Sequence, residues 1–154
     1  MTRARTALVI GGGIAGPVAA MALQRAEIEA TVYEAHPRGA AGIGIFLTLA
    51  SNGIDALQRI GAEERALAAG FPTPGMTLRS TTGKTLGAVR MGLSSPDKVT
   101  SHTLKRAHLL RAIHEEATAR GIAIQHGNAW SMSNRSAMES GLCSRTTPMP
   151  SATC

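Results

Sequence analysis

Hydrophobic residues in the N-terminal part of the chain follow two successive patterns. The apolar run Thr6–Ile10 is ended by Gly11, which is typical of a buried parallel strand. Small apolar residues then recur with the period of one helix face and predict a helix to about Ala30. Because Thr31–Glu34 predicts a second strand, we expect a strand–helix–strand unit. The helix face consists of Ala15, Val18, Ala19, Ala22, Leu23 and Ala26.

The middle of the chain changes pattern twice. A loop rich in Gly and Ala, Gly39–Gly44, is followed by Ser51 or Asn52, either of which would serve as the N-cap of a helix through about Leu67. Apolar and polar residues then alternate over Met76–Arg90, on both sides of a Thr-Gly-Lys turn. This alternation predicts a β-hairpin.

The C-terminal half of the chain resumes the first pattern. Prolines bracket the hairpin, so we expect an inserted β element at about 73–98. Lys105–Arg120 is predicted to form a helix, and Ile122–Gln125 a strand that continues the parallel sheet. The predicted fold is therefore α/β, a truncated Rossmann-like parallel sheet with a small inserted hairpin, in one domain at 1–127.

Residues 128–154 have no apolar period of either kind. Two interpretations are open: an irregular, disordered terminus, or the translation product of a shifted reading frame or truncated gene. Both cysteines, Cys143 and Cys154, lie here without metal-ligand spacing, so we expect neither a disulfide framework nor a zinc site. Ser133 and Ser136 have no histidine–acid partner nearby, which argues against a nucleophilic triad.

The composition narrows the class of protein. The chain has 154 residues, of which 44% are hydrophobic and 17% charged, as in a soluble globular protein. No apolar run approaches the roughly 20 residues of a membrane span, and Ala7–Ile10 is too short for the core of a signal peptide. We therefore expect a cytoplasmic protein with no membrane partner.

A net charge of +6 would suit nucleic acid, but the arginines are scattered and not interleaved with aromatic residues, so we expect no nucleic-acid partner.

The glycines after the first strand point to a specific chemistry. Gly11, Gly13 and Gly16 have the G-x-G-x-x-G spacing between a predicted strand and a predicted helix. The first allows a tight turn, the second lets the backbone approach a pyrophosphate, and the third lets the helix pack closely on the strand. The helix N-terminus offers free N–H groups to phosphate. Glu34 ends the second strand, where its carboxylate can accept both ribose hydroxyls of an adenosine and would repel the 2′-phosphate of NADP.

Other candidate sites are weaker. His102, His108 and His114 recur at intervals of six residues. On a helix this spacing rotates each side chain by about 120° from the last, so we do not expect them to share a metal and interpret them as surface or helix-end residues.

The pair Glu115–Glu116 is expected to form ion pairs with Arg111 or Arg120 on a solvated helix face.

Beyond the glycine motif, the sequence resembles a known family. Ala7–Ala20 followed by Thr31–Glu34 is similar to the N-terminal FAD-binding segment of single-component flavin-dependent monooxygenases, the aromatic hydroxylase group typified by para-hydroxybenzoate hydroxylase. Gly42–Phe46 and Ser51–Gly61 are similar to the loop and helix on the flavin side in that family. Lys105–Ile113 looks like its arginine-headed helix.

The resemblance implies an FAD cofactor, reduced by NAD(P)H, that uses oxygen to hydroxylate a small organic, often aromatic substrate. Arg106 would reach the flavin, and Gly42–Gly44 would lie near its ring. Two positions depart from the family: His108 stands where an acidic residue is common, and Ala35 where a basic residue often follows the ribose-binding acid. The implied cofactor-binding residues are Gly11, Gly13, Ile14, Ala15, Gly16, Glu34 and Arg106.

The resemblance covers residues 6–127 and leaves two later motifs of the family unmatched, since the chain has no Asp-Gly or Gly-Asp pair. We therefore expect weak FAD binding at best and no hydroxylation by this chain alone. Two alternatives are a fragment of an NAD-dependent dehydrogenase, because the first βαβ unit serves either dinucleotide, and a catalytically inactive nucleotide-binding remnant. The sequence specifies neither the substrate nor the oligomeric state.

Overall fold

A computed structural model of the chain describes residues 5–37, 44–92 and 100–127. The predicted tail at 128–154, with its cysteines and serines, lies outside the described residues, as do Gly42 and Ile43 of the glycine loop. The elements, in chain order, are β1 (Thr6–Ile10), α1 (Ala15–Arg25), β2 (Glu29–Glu34), β3 (Phe46–Leu49), α2 (Ser51–Arg59), α3 (Glu63–Ala68), β4 (Gly70–Pro72), β5 (Gly75–Arg79), β6 (Thr85–Arg90), β7 (His102–Lys105), α4 (Arg106–Ala119) and β8 (Ala123–His126).

A parallel sheet holds the first strand–helix–strand unit. Its described strands have the order β1-β2-β8, with Val9 opposite Val32 and Glu34 opposite His126. The predicted α/β class with a parallel sheet is confirmed, and β8 is the strand that the sequence placed after the last helix. The last helix itself, α4, agrees with its predicted bounds within one residue at each end.

The prediction that β1 is a buried strand is wrong for one of its faces. Leu8 is 40% exposed and Ile10 55% exposed, whereas Val9 packs against the core. Within the described chain β1 pairs with β2 alone, and the helices pack on the face that carries Val9 and Val32. The apolar run of β1 therefore has one half-buried face, which packs against the core, and one exposed face.

The hydrophobic core lies between this sheet and the helices. The fully buried side chains include Met21 of α1, Val32 of β2 and Ile113 of α4. Helix α4 contacts α1, α3 and β8, which places it at the centre of the described packing. The remaining members of the core cluster are Ala20, Ala30, Leu57, Ala62, Ala66, Leu104, Leu109, Ala117 and Ile122.

Two helix boundaries differ from prediction. Helix α1 ends at Arg25 rather than Ala30, because Glu27 adopts a left-handed φ of 60° and the Ile28 N–H returns to the Leu23 carbonyl at 3.0 Å. This closure is the usual way in which an α-helix ends. Strand β2 accordingly begins at Glu29, two residues earlier than predicted.

The single helix predicted through Leu67 is two helices. Gly61 has a φ of 65° and separates α2 from α3, and a glycine in this conformation is a common helix terminator. The predicted N-cap is also wrong: the N-cap of α2 is Ala50, whose carbonyl accepts the Ile54 N–H at 3.0 Å. Asn52 lies inside the first turn, where its Oδ1 accepts the Gly53 N–H at 2.9 Å.

A small antiparallel sheet and a hairpin complete the described fold. The sheet has the order β3-β7-β4. None of these three strands was predicted, because strands of three and four residues are too short to show alternation by themselves. The hairpin is present as β5 and β6, with Met76 opposite Val89. None of the helices in the described part of the chain is long and apolar enough to cross a membrane.

Candidate functional site

The turn between β1 and α1 is built on glycine geometry. Gly11 has a φ of 103°, a conformation that side chains rarely adopt, and its N–H donates to the Tyr33 carbonyl at 2.7 Å. A Cβ on Gly16 would overlap the Gly11 carbonyl oxygen. Both glycines therefore serve the turn itself, one through its backbone angle and the other through close packing.

Gly13 is restricted neither by a left-handed φ, as Gly11 is, nor by close packing, as Gly16 is. A Cβ on Gly13 would meet nothing within 4 Å, and no described residue accepts a hydrogen bond from its N–H. Helix α1 begins directly after the turn, with no side-chain cap and no acidic residue in its first turn. The uncapped N–H groups and the positive end of the helix dipole suit a phosphate group.

Glu34 lies beside the turn. Its Oε2 accepts the Gly12 N–H at 2.7 Å and its Oε1 accepts the His36 N–H at 2.8 Å. These bonds from His36 and Gly12, helped by the nearby His126 and His36 imidazoles, hold the pKa of Glu34 below its usual value near 4.5 although burial opposes them. The carboxylate is therefore charged at neutral pH and fixed in place.

His114 of α4 also touches the turn. Its Nε2 lies 2.6 Å from the Gly12 carbonyl oxygen, and its ring centroid is 6.1 Å from that of His126 on β8. The prediction that His114 is a surface or helix-end residue is wrong. Its partner is 102 positions away in the sequence, so no local pattern could have found this contact.

Arg106 is the first residue of α4 and abuts the end of the glycine loop. A Cβ on Gly44, whose φ is 91°, would lie 2.8 Å from the Arg106 Cδ. The Arg106 N–H also donates to the Ile45 carbonyl at 3.4 Å. The structure thus brings Arg106 and Gly44 together, as two parts of the chain that the resemblance assigned to the flavin.

The other predicted residues serve the fold. His102 is buried in β7, not on the surface as predicted, and its Nδ1 lies 2.9 Å from the Thr100 carbonyl. The predicted ion pair between Glu116 and Arg120 is present at 2.8 Å, and Arg65 of α3 joins it at 2.9 Å. Among residues 5–37, 44–92 and 100–127, no three His, Cys, Asp or Glu side chains are grouped so that they could hold a metal ion.

A parallel sheet, a glycine turn leading into an uncapped helix, and an acid at the end of the next strand define a dinucleotide-binding α/β protein. The comparison with known families names the group: residues 4–140 match the model of the FAD binding domain, and the chain belongs to this family. The resemblance to flavin-dependent monooxygenases is confirmed, and the cofactor of the family is FAD.

Curated relatives agree with this assignment. The chain is 33% identical over 122 residues to 2-heptyl-3-hydroxy-4(1H)-quinolone synthase of Mycobacteroides abscessus, a match that covers 79% of this chain and 32% of the relative. It is 32% identical over 121 residues to a probable 2-heptyl-3-hydroxy-4(1H)-quinolone synthase of Rhodococcus erythropolis, covering 78% of this chain and 30% of the relative. The chain therefore spans about a third of the length of the curated relatives that it matches.

Solved structures show the same fold. The tetrameric form of 2-methyl-3-hydroxypyridine-5-carboxylic acid oxygenase matches with a TM-score of 0.68 and 25% identity, over 82% of this chain and 32% of that one. CtdE in complex with FAD and a substrate matches with a TM-score of 0.66 and 20% identity, over 80% of this chain and 30% of that one.

Proposed function

We propose that this chain is the FAD-binding part of an NAD(P)H-dependent monooxygenase that hydroxylates a small aromatic substrate. The observation that carries the proposal is the β1–α1 turn, where the space over Gly13 is open and the Gly13 N–H has no described acceptor. The family match supplies the identity of the dinucleotide.

The turn fits a diphosphate. Gly13 lets the phosphate approach the backbone, and the N–H groups of Ile14, Ala15 and Gly16, at the start of α1, are the ones that a helix leaves without intrahelical partners. Because α1 has no side-chain cap and no acid in its first turn, these donors are available to an anion. Gly11 shapes the turn from which they project.

Glu34 fits the adenosine ribose. Each of its oxygens accepts one backbone N–H, and a carboxylate oxygen retains a second lone pair that can accept a ribose hydroxyl. Its lowered pKa keeps it an acceptor at neutral pH. Because the two backbone bonds fix its orientation, it needs little reorganisation when the ribose arrives.

Arg106 is the residue that we assign to the flavin end. Its guanidinium is permanently charged and presents several N–H donors, and its side chain lies against Gly44. When bound, FAD supplies the redox chemistry with NAD(P)H and oxygen, while this chain binds and orients it.

The relatives support the substrate class. One relative is named for a hydroxyquinolone and one solved structure for a hydroxypyridine carboxylic acid, and both compounds are nitrogen-containing aromatic rings. We assign a substrate of this class to the protein, and the cytoplasm as its compartment.

A second candidate function follows from length. Because the chain spans about a third of those relatives, it is also consistent with an FAD-binding chain that does not hydroxylate alone. In that case the flavin would be open to water, and NAD(P)H oxidation would be slow and would produce hydrogen peroxide rather than product.

The proposal is tested by titrating FAD and FMN into the parent chain and into Gly13→Val. We expect FAD to bind the parent, FMN to bind poorly, and Gly13→Val to lose FAD binding with an unchanged melting temperature. Gly87→Val is the matched control, since a Cβ on Gly87 of β6 also meets nothing within 4 Å. Equal FAD affinity in Gly13→Val and the parent would contradict the diphosphate site, and product formed in step with NAD(P)H consumption would exclude the second candidate.

A further inference from the structure

We propose that His114 is a positioning residue of the dinucleotide turn: by holding the Gly12 carbonyl, it orients the Gly12–Gly13 peptide so that the Gly13 N–H faces the diphosphate. The inference rests on the proposed function and assigns a role to a residue outside the glycine motif. Its basis is the 2.6 Å contact between the His114 Nε2 and the Gly12 oxygen.

The contact fixes the protonation of the ring. A carbonyl oxygen only accepts hydrogen bonds, so the His114 Nε2 must carry the hydrogen. This is true of the Nε2–H tautomer and of the imidazolium, whereas the neutral Nδ1–H tautomer would face the Gly12 oxygen with a lone pair. The bond therefore selects the form of His114 that donates to the turn.

The same bond sets the direction of the next N–H. The described chain has no cis peptide bond, and in a trans peptide the C=O of one residue and the N–H of the next point in opposite directions. With the Gly12 carbonyl directed at α4, the Gly13 N–H is directed away from α4. No described residue accepts a hydrogen bond from it, as required of a donor kept for a ligand.

Gly12 is held on both sides. Its N–H donates to the Glu34 Oε2 at 2.7 Å, and its C=O accepts from His114. Successive glycines are the most flexible backbone that a turn can have, and ordering such a turn during binding would weaken affinity. Side chains from β2 and α4 therefore preorganise the turn before the cofactor arrives.

The position of His114 also gives α4 a double role. His114 follows Arg106 by eight residues, about 12 Å along the axis of an α-helix. One rigid helix then carries the residue assigned to the flavin and the residue that supports the diphosphate turn.

The test compares His114→Gln, His114→Asn and His114→Leu in the full chain, with His108→Leu as a control on the same helix. A Gln amide nitrogen can reach the place of the imidazole Nε2, whereas the Asn amide is one methylene shorter. We expect FAD and ADP affinities about tenfold weaker in the Asn and Leu variants, as for one lost hydrogen bond, and within about twofold of the parent in the Gln variant.

The cofactor-free protein gives a second measurement. Nitrogen-15 NMR of the parent should show a hydrogen on the His114 Nε2, and the Gly13 amide resonance should shift in the Asn and Leu variants but not in Gln. Equal affinities in all variants, a Gln variant as weak as Leu, or a neutral Nδ1–H tautomer in the parent would each overturn the inference. If the parent does not bind FAD, the proposed function fails, while the NMR measurements still decide whether His114 orients the turn.

Discussion

The parallel sheet with its glycine turn and the β5–β6 hairpin bury their apolar side chains to very different extents. Val32 of β2, Met21 of α1 and Ile113 of α4 are 0% exposed. Leu86 and Val89 of the hairpin are 65% and 47% exposed. Both regions have hydrogen-bonded strand pairs, although the register of the hairpin shifts between Leu78 and Arg79, so the presence of strand pairing alone does not explain the difference in burial.

The difference lies in how each region is stabilised. The turn is held by long-range contacts, because strands from both ends of the described chain pair in one sheet and α4 bonds to Gly12. None of the residues of β5 and β6 belongs to the hydrophobic core cluster of the described chain. A two-stranded β-ribbon is only marginally stable when neither of its faces packs against other elements. Substitutions should therefore affect folding and binding strongly at the turn and weakly at the hairpin.

The largest combined effect on folding and on FAD binding is expected for Gly16→Ala. The added methyl group would overlap the Gly11 carbonyl oxygen, and backbone cannot move aside as a flexible side chain can. We expect a loss of about 3 kcal/mol in the free energy of unfolding, measured by urea denaturation, together with loss of FAD binding.

Gly13→Ala is the control for that substitution, since a Cβ there meets nothing within 4 Å. Its stability should remain within about 0.5 kcal/mol of the parent. If the two alanine variants unfolded at the same urea concentration, close packing at Gly16 would not maintain the turn.

Glu34→Ala should affect binding more than folding. The carboxylate is expected to form charge-assisted hydrogen bonds to the ribose, each worth about 1.5–3 kcal/mol, so FAD affinity should fall roughly tenfold or more. Glu29→Ala, at the exposed start of the same strand, is the matched control. Calorimetric titration that found both variants equal to the parent would remove Glu34 from the site.

The sequence predicted the parts of this site that depend on local pattern. The apolar run predicted β1, the three glycines predicted the turn, and the acid marked the end of β2. Each of these signals depends only on the conformation of the backbone close to it in the sequence. Helix α4 was found for the same reason, since its buried residues repeat with the helical period. The assignment of Glu34 and Arg106 to a cofactor required the resemblance to a family as well.

Features that depend on distant partners were missed. The contact of His114 with Gly12 and that of Arg65 with Glu116 join residues 102 and 51 positions apart. The burial of β1 on one face only also depends on which strands lie beside it. The split between α2 and α3 is different, because Gly61 was visible in the sequence and its role as a helix terminator was overlooked.

A smaller effect is expected from the ion pairs of Glu116. Burial raises its pKa, but hydrogen bonds from Arg120 and Arg65 outweigh burial and hold the pKa below its usual value near 4.5. This contribution to stability is therefore complete above pH 4.5 and is lost as the pH falls through the lowered pKa of the folded state.

Glu116→Gln should lower the free energy of unfolding by about 1 kcal/mol at pH 7. In urea denaturation, the variant should also lose less stability than the parent as the pH falls below 4.5. Glu115→Gln is the control, because the Glu115 oxygen lies 3.9 Å from Arg65 and its side chain is more exposed. An identical acid dependence in Glu116→Gln and the parent would show that these ion pairs do not stabilise the fold.

The smallest effect is expected in the hairpin, where a leucine-to-alanine pair measures the contrast between the two regions directly. Leu86 of β6 is 65% exposed and Leu109 of α4 is 2% exposed. Truncating a buried leucine to alanine costs about 2–5 kcal/mol, because the burial of its apolar atoms is lost and a cavity remains in the core. Truncating an exposed leucine should change the free energy of unfolding by no more than about 0.5 kcal/mol. Leu109→Ala should therefore unfold at a much lower urea concentration than the parent, and Leu86→Ala should match the parent in both stability and FAD affinity. If Leu86→Ala were as destabilising as Leu109→Ala, the hairpin would share in the cooperative core, and the contrast between a packed binding region and a separately stabilised ribbon would be wrong.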